Sequence, residues 1–200
     1  MTTAPLPDAP GTADHLSLAL ANSLVTLPGG QQFDELDSPV NATAWLVGHG
    51  LAPQGTGLLE YCQLQLTDLR RKLRAVLLAH AEGAAPDPDS LEGINRALSA
   101  VPSAALLRYS PGEGLNRVAS HPLTQIVDHA MAQIAEDAAA LLTGPDAARV
   151  ARCASEPCDR FMVRTHGRRQ WCSARCGARQ RANRAYARKK GSAPVPDSLA

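Results

Sequence analysis

Four of the five cysteines in this 200-residue chain stand close together. They are Cys153, Cys158, Cys172 and Cys176, spaced C-x4-C-x13-C-x3-C. Two short-range pairs separated by a dozen or so residues suit a tetrahedral Zn²⁺, because each short loop turns two thiolates toward one ion. With sulfur at all four positions no place is left for a metal-bound water, so one such zinc would hold the fold and not hydrolyse a substrate. His166, between the pairs, is the residue that would open a catalytic position by replacing a cysteine. A lone histidine in a basic loop is more often solvated or bound to phosphate. Two disulfides are the other outcome for the four thiols. The chain opens without the charged and apolar regions of a signal peptide, and none of its apolar runs approaches a membrane span. The expectation is therefore a cytoplasmic protein with no membrane partner, and in that reducing compartment paired cysteines are usually metal ligands. Cys62 lies among apolar residues and reads as a small core hydrophobe.

Charge divides the chain in the same place. Residues 149–190 carry 13 of the 20 Lys and Arg but only Glu156 and Asp159, a balance of +11, whereas residues 1–148 carry 7 basic and 16 acidic residues, a balance of −9. Such a split describes an acidic body and a basic arm suited to a polyanion. Ser173 is a natural N-cap for a helix over 174–190. On it fall Arg175, Arg179, Arg181, Arg184, Arg188, Lys189 and Lys190, with Arg168 and Arg169 in the loop before it. These residues would bind phosphates regardless of base sequence. Base reading would fall to Arg179, with Arg175 one turn before it, and to Gln180 and Asn183, since Arg pairs with guanine edges and Asn or Gln with adenine. DNA is the first target and RNA the alternative. Phe161 and Trp171 form a miniature core, or Trp171 is a stacking platform for single-stranded RNA.

The elements that must position this arm are helical. Residues 1–13, rich in Pro, read as a mobile tail, 14–146 as a helical domain, 147–190 as the zinc finger and 191–200 as a second tail. Leu16, Leu20, Leu24 and Val25 share one face of a first helix ending near Pro28-Gly29-Gly30. Asp37-Ser38-Pro39 caps a short helix to Val47 that carries Trp45 as a core anchor. Thr56 caps a long helix whose apolar stripe runs from Leu58 to Leu77 and whose other face, Arg70, Arg71, Lys72 and Arg74, is solvated. Asp87-Pro88 starts a further helix. Leu106 to Val118 makes a hairpin about a glycine-rich turn, with Arg108 and Arg117 as cross-strand neighbours or exposed strand arginines. Residues 120–142 form a second long, alanine-rich helix packed on the first. In the finger, Phe161 to Val163 and Trp171 flank a turn as a small hairpin. The fold class is mainly α with a small β-hairpin, followed by a four-cysteine zinc ribbon or finger and a basic helix.

The string Trp171-Cys172-Ser173-Ala174-Arg175-Cys176-Gly177-Ala178-Arg179, preceded by Cys153-x4-Cys158-x2-Phe161, resembles the CGNR zinc finger family. Leu18 to Ser23 and the stretch from Asp34 to Trp45 are similar to the opening of the ABATE domain that accompanies this finger. The resemblance spans about residues 14–190. It implies a bacterial, stress-related transcriptional regulator whose finger binds nucleic acid. Two positions depart from the pattern: Ala178 replaces the signature asparagine, and Val163 stands where aspartate is usual.

No nucleophile elbow, phosphate loop, HExxH pair or carboxylate dyad appears, so the expectation is a binding protein and not an enzyme. The helical domain would sense a small molecule or form a homodimer while the arm holds DNA. A zinc or thiol redox sensor is the reading from another class.

Overall fold

The structure is a computed structural model that describes residues 7–101, 105–112, 114–119 and 125–191. Among these there are six α-helices and three two-stranded antiparallel sheets. Helix α1 (Leu16–Asn22) is almost wholly buried and has no cap of its own. Its exposed amides are met instead by a carboxylate from across the fold, Asp137, which accepts from Ser17 N at 2.8 Å and also from the Ser17 hydroxyl. Strands β1 (Leu24–Thr26) and β2 (Gln32–Asp34) pair with Val25 opposite Phe33. The expected first helix therefore stops two residues before Leu24. Leu24 and Val25 fit a helical period, but the β-hairpin about Pro28-Gly29-Gly30 claims them.

Helix α2 (Pro39–Gly48) starts as expected, with Ser38 Oγ accepting from Asn41 N at 3.3 Å and proline in the first turn. Helix α3 (Glu60–Glu82) buries Leu66, Leu69, Leu73, Val76 and Leu77, and Gly83 closes it at φ +67°, a conformation that favours glycine. Thr56 does not cap it; its hydroxyl donates to Pro53 O and the N-cap is Leu59. Helix α4 (Pro88–Ser99) is capped by Asp87, whose carboxylate accepts from Ser90 N at 2.9 Å. Strands β3 (Ala105–Ser110) and β4 (Gly114–Ala119) form the expected hairpin. Its register sets Arg117 opposite Leu107 and Arg108 opposite Asn116, so the two arginines are not a facing pair. Helix α5 (Ile126–Thr143) turns Ala130, Ile134 and Ala138 into the core against α1, α3 and α4. The Ser120 and Pro122 start expected for this helix lies outside the described residues.

The basic face expected on α3 is solvated at Arg71 but not at Arg70 or Arg74. Arg70 is 5% exposed and donates to both carboxylate oxygens of Asp34, at 2.5 and 2.8 Å, and to Ser23 Oγ at 3.0 Å. Arg74 reaches the carbonyls of Ala21 and Leu24 and the carboxylate of Asp159. These guanidiniums stitch the β1–β2 hairpin and the finger onto α3, a role that a count of charges along a helix does not reveal.

After a 3-10 turn (Ala147–Arg149), β5 (Val150–Arg152) pairs with β6 (Phe161–Val163), and α6 (Ala174–Gly191) follows. The finger hairpin is thus β5–β6, enclosing the first cysteine pair, and not a pairing of Phe161–Val163 with Trp171. Val150, Phe161 and Val163 join the main core, whereas Ala151, Met162 and the four cysteines make a second, smaller one. Residues 7–13, expected in the mobile tail, belong to this assembly. Ala9 is 3% exposed in the finger's core, Pro10 O accepts from Val163 N, and Pro7 O accepts from Arg160. Gly11, at φ +86°, lies so close to Val163 that an added Cβ would come within 2.9 Å of its methyl.

Candidate metal centre and nucleic-acid interface

Each cysteine arrives from a different local structure. Cys153 follows β5, Cys158 sits in the loop of the β5–β6 hairpin, Cys172 precedes the Ser173 cap, and Cys176 lies in the first turn of α6. Their four sulfurs lie within 4.8 Å of one another, with Cys158–Cys172 at 3.7 Å and Cys172–Cys176 at 3.6 Å. A tetrahedral zinc with Zn–S bonds of about 2.3 Å requires sulfurs about 3.8 Å apart, which the two shorter separations already match. All four cysteines are buried.

The thiols also divide electrically. Hydrogen bonding by its neighbours, Cys153 first, lowers Cys158 to about 6, and the same kind of bonds lower Cys176. Cys153 and Cys172 are raised, chiefly through bonds with Cys158 and Cys153 respectively. A cation bound by all four sulfurs would displace their protons. Zinc with four thiolates would carry two net negative charges, and two guanidiniums stand ready to offset them. Arg160 donates to Cys172 Sγ at 3.1 Å and Arg179 to Cys176 Sγ at 3.4 Å. Burial acts to lower the basicity of Arg160, but the Cys172 and Cys158 sulfurs outweigh it and raise it. Such outer contacts fix ligand geometry and tune affinity.

Ser155 links the two halves of the knuckle. Its hydroxyl donates to Cys176 O at 3.0 Å, and Arg179 donates to both its hydroxyl and its carbonyl, at 3.2 and 2.8 Å. Arg179 and Gln180, read from sequence as base readers, are therefore occupied within the finger, Gln180 by a bond to Ala154 O. Arg169 is likewise engaged, by Trp171 O and Cys172 O. Gly177 is explained by Trp171, since an added Cβ would lie 3.1 Å from its ring and 3.3 Å from the Arg181 guanidinium. Trp171 packs partly buried on the small core. Ala178, where the family pattern has asparagine, is exposed. Sequence reasoning passed over Ser155, Arg160 and Asn22, whose side chain exchanges two hydrogen bonds with the backbone of Phe161. No spacing rule marks such residues, because their partners lie far away in the chain.

The remaining arm residues face outward. Arg168, Arg175, Arg181, Asn183, Arg184 and Arg188 are exposed, and α6 from Arg181 to Arg188 is exposed at every residue except Ala185. Lys189 and Lys190 continue the same helix. Among the described residues no helix is long and apolar enough to cross a membrane.

No curated protein matches the chain. A family model for the CGNR zinc finger matches residues 149–189, which contain all four cysteines and the two arginines bonded to them. With this donor set and these sulfur distances, the cluster is the site of one structural zinc. A second model, ABATE, described as "Putative stress-induced transcription regulator", matches residues 14–145, the helical body to which the finger is fastened. The chain belongs to the ABATE family and carries a CGNR zinc finger at its C-terminal end.

Proposed function

We propose that this zinc-binding regulatory protein is a transcriptional regulator of a bacterial stress response that holds DNA with its finger and basic helix. It acts in the cytoplasm by binding and not by catalysis. The observation that carries this reading is the division of labour among the arginines. Arg160, Arg169 and Arg179 are turned inward on the knuckle, while Arg168, Arg175, Arg181, Arg184 and Arg188 are exposed on its loop and on a helix with little else to bury. A helix this polar gains little from packing, so its charges are best accounted for by a phosphate backbone. The exposed Arg175 and Asn183 lie on the part of α6 available for base edges.

The test is titration of the zinc-loaded protein against duplex DNA and single-stranded RNA pools at two salt concentrations. Tighter binding to a subset of the duplexes, retained at higher salt, supports a sequence-reading regulator. Preference for RNA transfers the same charges to an RNA-binding role, and stoichiometric zinc without binding to either pool overturns the proposal.

A further inference from the structure

A pocket of about 390 Å³ lies on the zinc finger between the loop after β6 and the first turns of α6. The exposed residues His166, Arg168 and Arg181 line it, together with the partly exposed Trp171. Among the described residues no Asp or Glu does so, and His166, Arg168 and Arg181 make no side-chain hydrogen bond or ion pair. Trp171 is fixed from two sides. Arg169 donates to its carbonyl at 3.1 Å, and an added Cβ at Gly177 would come within 3.1 Å of its ring. A ring already held in place loses little entropy when something stacks on it. An acid-free, arginine-lined pocket beside such a ring suits a ligand that is anionic at one end and flat and aromatic at the other.

We propose that this pocket takes one unpaired nucleotide of DNA, its base stacked on Trp171 and its phosphate held by Arg168 and Arg181, with His166 beside them. Phosphate alone would satisfy the guanidiniums but leave the indole in water. A base within a continuous duplex cannot cover that ring, because both of its faces are already stacked on its neighbours. An extrahelical or single-stranded nucleotide supplies both parts together. The inference rests on the reading of the arm as a DNA-binding surface and adds a preference to it, for DNA with an unpaired base over a continuous duplex. Arg184 and Arg188 lie further along α6, outside the pocket, and meet the backbone of either kind.

The zinc-loaded full chain is titrated against a continuous DNA duplex, the same duplex with a single bulged adenine, and the same duplex with an abasic residue at the bulge. The ratio of affinities is the readout, so that uniform phosphate binding cancels. The bulged adenine should bind about tenfold tighter than the continuous duplex, and the abasic residue should lose most of that gain. Trp171→Leu and Arg168→Gln should each bring the ratio close to one. Arg184→Gln should weaken all the DNAs alike and keep the ratio. Zinc content is measured alongside, and Arg168→Gln, at an exposed loop position, carries the test if Trp171→Leu loses the metal. Equal affinity for continuous and bulged duplexes, or a gain that survives the abasic residue or a zinc-loaded pocket variant, overturns the inference and leaves the DNA-binding reading standing. Failure to bind any of these DNAs overturns both.

Discussion

Arg74 of α3 and Asp159 of the finger loop form an ion pair of 2.8 Å across the junction between the helical body and the zinc finger. The same aspartate accepts from Thr26 N and Thr26 Oγ1, both at 3.0 Å, so one carboxylate fastens the finger to α3 and to the β1–β2 hairpin at once. The Arg74 guanidinium also lies 5.6 Å over the ring of Phe161. The finger is thereby oriented by the body and not tethered to it loosely.

Replacing Asp159 with alanine should leave Arg74 without its counterion where only 17% of its side chain is exposed. Breaking a pair of this kind costs about 2–4 kcal/mol. Chemical denaturation should register that loss, and hydrogen exchange should rise at Thr26 and across β5 and β6. Zinc content should be unchanged, because the Asp159 carboxylate is engaged by Thr26 and Arg74 and not by a group that touches a sulfur. Loss of zinc in the variant would refute the separation of docking from metal binding.

Asp34 and Arg70 give a pH dependence. Burial acts to raise the Asp34 carboxyl, but the Arg70 hydrogen bonds, the Leu36 amide and the Arg70 charge outweigh it and hold it below its ordinary value. Because the folded value is depressed, the stabilisation is complete above the ordinary aspartate range, near pH 4, and is lost as pH falls through the folded value. Asp34→Asn should cost about 2–3 kcal/mol at pH 7, since it leaves a buried guanidinium unpaired. It should also flatten the fall in stability below about pH 4. Urea denaturation of both proteins between pH 2 and 7 checks the two effects together. An equally steep acid limb in the variant would exclude Asp34 as its source.

The metal centre was legible because cysteine spacing is a local property: C-x4-C-x13-C-x3-C states which residues converge without needing to know what surrounds them. The capped helices were legible for the same reason, Ser38-Pro39 and Asp87-Pro88 being signals that act within one turn. What the sequence hid depends on partners remote in the chain. Leu24 and Val25 carry a helical period, yet Phe33 and Asp34 draw them into a strand pair. Arg70 and Arg74 sit in a run of charges that reads as a wet helix face, and only Asp34 and Asp159 show why they turn inward. Arg179 looks like its exposed neighbours until Ser155 and Cys176 are placed beside it.

That last contrast separates two arginines of one helix. Arg179→Ala removes contacts to Ser155 and to Cys176 Sγ, so zinc affinity should fall by about 10–100-fold, as for other residues that support metal ligands. Arg179→Lys should recover little, because lysine lacks the fork that spans two acceptors. Arg184, exposed further along α6, should behave otherwise. Arg184→Ala should retain zinc but weaken DNA of every sequence about equally and reduce the salt slope by about one. Competition with a zinc indicator and salt-dependent DNA titrations distinguish them. Equal zinc loss in both variants would contradict the assigned roles.

Removing zinc should not unfold the finger uniformly. Phe161 and Val163 lie in the main core, and Phe161 is held by Asn22 through two hydrogen bonds of 2.8 and 2.9 Å to its backbone. These contacts make no use of the metal. The second core is different, since four of its seven buried members are the cysteines themselves, and without a cation the first cysteine loop is left to the weaker hold of the Ser155, Arg179 and Gln180 hydrogen bonds to the start of α6. Chelation should therefore erase amide protection in residues 153–158 and 172–188 while the Phe161 amide remains protected along with α3 and α5. Restoring one equivalent of Zn²⁺ should recover the lost protection. Hydrogen exchange before and after chelation reads this directly, and simultaneous loss of protection at Phe161 would mean that the metal, and not the body, holds β6 in place.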